Sequence, residues 1–166
     1  MTKSKNGYKK LFMSFIYAFR GMFKTLMLEQ NMRIHFVCML YMYSYLFIFD
    51  FFKVTRTQIA ILFVANALVF AAEMFNTAIE STVDLVTDEK RKMAETAKDT
   101  AAGAVLVCAI FSVAVGIAIL WQPEAFKLLF NYYIEKPIRI AEFLLSVIVF
   151  SLFIFKGIPF IKSGKE

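Results

Sequence analysis

The sequence predicts an all-α integral membrane protein, because it combines an apolar composition with several long apolar runs. Hydrophobic residues make up 60% of the 166 residues and aromatic residues 17%, and the mean hydropathy is +0.63. Ordinary soluble domains are far more polar. A membrane-spanning helix needs about 20 mostly apolar residues, so the chain has room for three or four spans and for no separate soluble domain.

The apolar runs divide the chain into predicted helices. Residues 7–28 mix apolar and basic side chains with a helical period, which predicts an amphipathic helix on the membrane surface. Residues 34–50 form the first predicted span, 59–86 the second and 99–121 the third. A fourth membrane helix is predicted at about 138–160.

The charge pattern favours a membrane partner over a nucleic acid. The formal net charge is +6, but the basic residues lie in the N-terminal segment and beside the apolar runs, where they act as orientation signals and headgroup contacts. We therefore expect no nucleic-acid partner. Cys38 and Cys108 lie inside apolar runs without metal-ligand spacing, so we interpret them as buried small residues. The N-terminus shows no signal-peptide pattern.

Lysine and arginine counts predict the orientation. Seven of these residues occur up to Arg33, and four lie in the link between the second and third spans. Loops rich in lysine and arginine remain in the cytoplasm. The N-terminus and this second link are therefore predicted to be cytoplasmic in a multi-pass protein of the cell membrane.

The second predicted span carries an acidic stripe. Glu73, Asn76, Glu80 and Asp84 fall within about 80° of one another on a helical wheel. An acidic side chain at mid-membrane costs about 2.5–3.5 kcal/mol, so the aligned acids require compensation. Their oxygen atoms are hard ligands of the kind that Mg²⁺ takes together with substrate phosphates. The stripe equally suits a cation or proton pathway, and spacing alone does not choose between them.

Two neighbouring features favour phosphate. Lys98 and Asp99 lie where the third span is predicted to begin, so the lysine and the free N–H groups of a helix start could meet polyphosphate. Glu29 and Arg33 precede the first span at the same predicted cytoplasmic level. A purely structural alternative is that the acidic side chains form ion pairs with Arg33 and Lys98 that only hold the helices together.

Three segments, in order, resemble the small prokaryotic diacylglycerol kinase and undecaprenol kinase family. The resemblance covers about residues 8–121, and its details are similar to the Gram-positive undecaprenol kinase branch. The segments are EQNMRIH at 29–35, the pattern ExxNTAIExxxD at 73–84, and AKD at 97–99 followed by AAGAV at 101–105.

The resemblance implies a fold and an activity. The fold would be a surface helix and three spans in residues 1–121, assembled as a homotrimer with active sites shared between chains. The activity would be ATP- and Mg²⁺-dependent phosphorylation of a membrane lipid alcohol on the cytoplasmic side, with undecaprenol as the acceptor and diacylglycerol as the alternative. Residues 122–166 have no counterpart in the minimal family unit and are interpreted as an extra anchor or packing helix.

The resemblance also implies roles for individual residues. Glu73 matches the general base, and Glu29 and Glu80 match the carboxylates that hold Mg²⁺ on the nucleotide. Asn76, Asp84 and Arg33 would support the site. Lys10 stands where the better-known branch has arginine, which is a stronger bidentate phosphate ligand. The matched nucleotide-binding positions are Lys10, Tyr17, Glu29, Glu80, Glu89, Lys90, Arg91, Lys98 and Asp99.

Two functions from other classes stay open at the level of sequence. A small cation or proton transporter would also use aligned acids in a membrane helix, and a structural membrane subunit would use them to pair helices. His35, a lone histidine at the predicted membrane edge, is interpreted as a hydrogen-bonded interface residue rather than a ligand or base.

Overall fold

The computed structural model describes residues 3–87, 89 and 91–157, with side chains from Gly7 onward. All regular secondary structure in this described part is α-helical, as predicted. The six helices are α1 (Lys3–Leu28), α2 (Gln30–Phe47), α3 (Arg56–Val86), α4 (Lys92–Leu120), α5 (Pro123–Glu135) and α6 (Pro137–Lys156).

Local sequence signals set where α3 and α4 begin. A capping box starts α3, because the Thr55 side chain accepts from the Gln58 backbone N–H while the Gln58 side chain accepts from the Thr55 backbone. Helix α4 begins at Lys92, seven residues before the predicted start of the span. Residues 92–98 include four polar side chains, but most of the seven residues favour helix, so α4 starts before its continuous apolar part begins. Lys98 and Asp99 therefore lie well inside α4, and the expectation that they meet free N–H groups at a helix start is wrong.

Helices α3 and α4 form the main packed pair, an antiparallel hairpin closed by the short link after Val86. Helix α2 packs on α1, α3 and α6. Its contact with α6 is antiparallel, because the Tyr41 hydroxyl meets Ser146 Oγ at 2.8 Å and Arg33 Nε donates to the Ile154 carbonyl at 3.0 Å. Helix α6 thus returns along α2 to the end where α1 meets α2.

Helix α5 closes the opposite end of the molecule. The buried side chains of Leu46, Phe52, Leu62 and Ala125 form a small core there. The Gln122 side-chain amide bonds the backbone of Lys53 twice, accepting from its N–H and donating to its carbonyl at 3.1 Å each. This end is stabilised by the extension and lies far from the acidic stripe.

Four helical segments in the described chain are long and apolar enough to cross a membrane: Gly7–Leu28, Arg56–Val86, Lys92–Leu120 and Pro137–Lys156. The set confirms a multi-pass membrane protein, and it includes the predicted extra helix of the extension. It contains α1, which was expected on the surface, and it does not contain α2. Helix α2 has 18 residues, about 27 Å at 1.5 Å per residue, and it begins with polar side chains.

The prediction that both cysteines are buried is wrong for the isolated chain. Cys38 is exposed and Cys108 is half-buried. In a membrane protein an apolar helix face can point to lipid or to another chain instead of an internal core. Apolar sequence context therefore does not imply burial within one subunit.

Candidate active site

The acidic stripe of α3 runs from the interior of the chain to its surface. The exposed fraction of Glu73 is 2% and that of Asn76 is 9%. Glu80 is half-buried and Asp84 is exposed. At 1.5 Å per residue, Glu73 and Asp84 lie about 16 Å apart along the helix. The stripe therefore connects a buried carboxylate to the aqueous end of α3.

Two buried oxygen atoms of this stripe have no hydrogen-bond partner in the described structure: Glu73 Oε1 and Asn76 Oδ1. The amide of Asn76 instead donates to Glu80 Oε1 at 2.9 Å, which orients Asn76 and Glu80 toward each other. Unsatisfied buried acceptors are rare and require an explanation. Both atoms could accept a hydroxyl donor or bind a cation.

His35 is the basic side chain that faces the buried carboxylate, with His35 Nε2 lying 3.5 Å from Glu73 Oε1. The two residues come from different helices, α2 and α3. The sequence interpretation of His35 as an interface residue did not foresee this contact. Its position in the 29–35 segment was the available signal, but no periodicity links α2 to α3.

A charged cavity of about 470 Å³ lies between the end of α3 and the start of α4. Lys98 Nζ donates to Asp84 Oδ1 at its wall, and Arg91 pairs with Glu89 at 2.8 Å. The structure thus brings together several predicted nucleotide-binding residues, whereas Lys90 lies outside the described residues. The polar lining residues are Asp84, Thr87, Glu89, Arg91, Glu95, Lys98 and Asp99.

A second cavity, of about 700 Å³, separates α1 from α3. Glu29 contributes to its α1–α2 wall, and Thr77 and Ser81 contribute from α3. Tyr17 is 58% exposed on α1, and Lys10 is exposed as well. Neither of these two residues makes a described side-chain hydrogen bond to the α3 stripe, so their predicted nucleotide contacts stay predictions.

Arg33 has partners other than the α3 acids. It is 2% exposed, and Nη1 donates to the Met27 carbonyl at 2.7 Å while Nε donates to the Ile154 carbonyl. Burial lowers the pKa of its guanidinium, and the charge of Glu29 opposes that shift. Arg33 therefore joins the C-terminal ends of α1 and α6, where a cation is favourable.

The donor chemistry of the stripe suits a hard divalent cation. In the part of the chain that the structure describes, no three His, Cys, Asp or Glu side chains cluster as a metal site. A Mg²⁺ ion on a nucleotide needs only one or two carboxylates, because phosphates and water complete its shell. Glu29, Glu80 and the unpartnered Asn76 Oδ1 are oxygen donors of the required kind.

A membrane helix bundle with a buried carboxylate and a charged cavity at its end suits an enzyme that acts at the membrane edge. The family model for prokaryotic diacylglycerol kinase matches residues 16–120. The chain belongs to the prokaryotic diacylglycerol kinase family. It is a lipid kinase that carries out ATP-dependent phosphoryl transfer, a reaction that usually requires a divalent metal.

Two relatives are each similar to about two thirds of the chain. The undecaprenol kinase of Bacillus subtilis (strain 168) is 36% identical over 117 residues, which are 69% of this chain and 91% of that protein. The diacylglycerol kinase of Synechocystis sp. (strain ATCC 27184 / PCC 6803 / Kazusa) is 37% identical over 117 residues, 68% of this chain and 63% of that protein. The family match ends at residue 120, so α5 and α6 lie outside it.

Proposed function

We propose that this chain phosphorylates undecaprenol to undecaprenyl phosphate with Mg-ATP at the cytoplasmic face of the cell membrane. The observation that carries the proposal is the buried carboxylate of Glu73, whose Oε1 has no hydrogen-bond partner, at the head of a polar stripe that ends at a charged cavity. Undecaprenol is preferred because the relative that matches over 91% of its length is an undecaprenol kinase.

Glu73 acts as the general base. Its carboxylate accepts the proton of the lipid hydroxyl, so the alcohol oxygen can form a bond to the γ-phosphorus as the bond to the ADP oxygen breaks. The low exposure of Glu73 excludes bulk water, which protects the phosphoryl group from hydrolysis. The lipid alcohol is expected to approach from the membrane and the nucleotide from the aqueous end.

The remaining site residues bind and orient the nucleotide. Lys98 exchanges its bond with Asp84 for a phosphate oxygen, and Arg91 and Asp99 line the same cavity. Glu29 and Glu80 would hold Mg²⁺, which neutralises phosphate charge when bound. Asn76 keeps Glu80 in place through its 2.9 Å bond. Lys10, Tyr17, Glu89 and Lys90 complete the proposed set of nucleotide contacts.

The proposed assembly is a homotrimer in which neighbouring chains share each active site, with α1 on the membrane surface. Support comes from the many apolar side chains of α3 and α4 that remain exposed. Basic residues on α1 and in the link after α3 favour the cytoplasmic side for the nucleotide cavity.

Diacylglycerol is the second candidate acceptor, and the 37% identity to a diacylglycerol kinase favours keeping it. Both acceptors need the same base, metal and nucleotide contacts. The choice between the two acceptors depends on the residues that contact the lipid chains, and these are separate from the residues that transfer the phosphoryl group.

The test is transfer of radiolabelled phosphate from ATP to lipid by the purified chain, with undecaprenol and diacylglycerol assayed side by side. We expect Mg²⁺-dependent labelling of undecaprenol and its loss in Glu73→Gln. Faster labelling of diacylglycerol would reverse the acceptor assignment. Appreciable activity of Glu73→Gln would exclude Glu73 as the base.

A further inference from the structure

His35 is the titratable side chain beside the reacting carboxylate to which the proposed reaction gives no role. Its Nε2 lies 3.5 Å from Glu73 Oε1, the same oxygen atom that lacks a hydrogen-bond partner. The His35 side chain is 26% exposed and that of Glu73 is 2% exposed. The imidazole therefore lies at the border of the buried region, between the carboxylate and the surface.

A buried carboxylate keeps its charge only when a cation or a hydrogen-bond donor compensates for the lost hydration. Two other basic groups near this end have different partners, since Arg33 donates to the Met27 and Ile154 carbonyls and Lys98 donates to Asp84. His35 is the basic side chain that the described structure pairs with Glu73. A small rotation of either side chain would bring the 3.5 Å approach to hydrogen-bond length.

We infer that His35 is a positioning residue for phosphoryl transfer, which holds the ionised Glu73 carboxylate through its Nε2–H group and directs the free carboxylate oxygen toward the lipid hydroxyl. This inference rests on the proposed role of Glu73. The proton of the lipid hydroxyl passes to Glu73, the alcohol oxygen bonds to the γ-phosphorus, and ADP leaves with the electron pair of the broken bond. His35 forms and breaks no covalent bond, and it retains its own proton.

Such a role predicts a specific kinetic pattern. Misplacing a reacting group by about 1 Å can cost about 100-fold in rate, whereas the nucleotide cavity at the far end of the stripe is unaffected. His35→Phe preserves a ring of similar size without the donor, so kcat should fall about 100-fold with KM for ATP unchanged. His35→Gln supplies an amide donor at a similar reach and should recover at least a tenth of the wild-type kcat.

Tyr45→Phe is the matched control on the same helix. It also removes one polar atom, the hydroxyl that meets the Tyr133 hydroxyl at 2.8 Å, but it does so at the opposite end of α2. We expect its kcat to stay within about twofold of wild type, on the grounds that its contacts lie outside the site. If Tyr45→Phe lost activity to the same extent as His35→Phe, a general disturbance of α2 would explain the result and the inference would fail.

The kinetic outcomes separate this inference from the proposed function. An inactive Glu73→Gln together with a fully active His35→Phe would overturn the role of His35 and leave the base assignment intact. A fully active Glu73→Gln would remove the base assignment itself. His35→Gln as inactive as His35→Phe would also overturn the inference, because a restored donor would then have no effect.

A spectroscopic measurement tests the contact without any His35 variant. His35 is the single histidine among the 166 residues, so ¹⁵N labelling of histidine gives one imidazole, and only its Nδ1 and Nε2 signals have to be distinguished. We expect Glu73→Gln to shift the Nε2 resonance, because the anionic partner of that nitrogen is replaced by a neutral amide. Identical imidazole spectra in wild type and Glu73→Gln would refute the pairing.

Discussion

The residues of the α3 stripe differ in how deeply their side chains are buried, and this difference suits different roles in the proposed reaction. Glu73 is buried with one oxygen unpartnered, whereas Asp84 is exposed and bonds Lys98. Proton transfer benefits from a dry environment, while charged phosphate must arrive through water. The gradient of burial along one helix face therefore suits a reaction between a membrane alcohol and a soluble nucleotide.

The proposed role of Glu80 as a metal ligand can be tested with a single substitution. Glu80→Ala should weaken nucleotide-dependent Mg²⁺ binding at least tenfold, because it removes a charged oxygen donor and leaves the Asn76 amide without its 2.9 Å partner. Isothermal titration with a non-hydrolysable ATP analogue measures the affinity. Glu124→Ala is the control, since Glu124 is 82% exposed at the other end and pairs with Lys127. Equal affinity in wild type and Glu80→Ala would refute the metal role.

The lysine of the nucleotide cavity gives a second prediction. Lys98→Met should raise KM for ATP about tenfold or more, because a charge-assisted hydrogen bond to phosphate contributes about 1.5–3 kcal/mol. An exposed ion pair such as Lys127–Glu124, at 3.0 Å, contributes about 0–1 kcal/mol. Lys127→Met should therefore change neither KM nor kcat in steady-state assays. An unchanged KM in Lys98→Met would mean that Lys98 only pairs with Asp84.

Among the helices, Arg33 bonds the C-terminal extension (residues 122–166) to the part of the chain that matches the family model (residues 16–120). Its guanidinium bonds the Met27 carbonyl near the end of α1 and the Ile154 carbonyl near the end of α6. Helix C-termini carry unsatisfied carbonyls and partial negative charge, so one buried cation satisfies two helix ends. Helix α6 is thereby held beside α2 rather than free in the membrane.

Gly157 lies where the ends of α1 and α6 meet at Arg33, and replacing it tests this contact. Its φ is +61° and its ψ is −158°, a region open essentially to glycine alone, and an added Cβ would lie 3.4 Å from the Met27 carbonyl oxygen and 3.5 Å from Arg33 Nη1. Gly157→Ala should lower the free energy of unfolding by about 1–3 kcal/mol. Thermal unfolding in detergent, followed by circular dichroism, measures the loss.

Gly116 is the matched control for that substitution. It lies inside α4, and an added Cβ would meet nothing within 4 Å. Gly116→Ala should raise the free energy of unfolding by about 0.5–1 kcal/mol, because alanine favours helix more than glycine does. Equal shifts of the melting temperature in the two variants would contradict the assigned role of Gly157.

For the whole molecule, the antiparallel order of the helices separates two ends. The charged cavity proposed for the nucleotide lies at the link between α3 and α4, and α5 packs against the loop before α3 at the other end. With the cavity in the cytoplasm, as proposed, α5 must face the outside. In this orientation the acidic site faces the ATP of the cytoplasm, and of the extension only α5 lies at the opposite surface.

Cysteine labelling tests this arrangement. In a background with Cys38 and Cys108 replaced by alanine, Glu124→Cys should react with a membrane-impermeant maleimide in intact cells. Lys92→Cys should react only after the cells are permeabilised, because it lies at the predicted cytoplasmic end. Labelling of both positions in intact cells, or of Lys92→Cys alone, would overturn the orientation.

The sequence by itself determined that this is a helical membrane protein, and its local segments indicated the kinase family. Apolar runs predict membrane helices because the bilayer thickness sets their length, and the acidic stripe follows from helical periodicity within one element. The segments that resemble the kinase family are also local. Each of these predictions depends on residues that are close along the chain.

Only the tertiary structure decided which helices bring their side chains together. The pairing of His35 with Glu73 and the bond from Arg33 to α6 join residues that are far apart in sequence. The early start of α4 places Lys98 and Asp99 inside a helix, because the helix extends beyond the apolar run whose length the bilayer sets. Such contacts depend on how each helix is rotated and shifted against its neighbours, and no periodicity within a single helix contains that information.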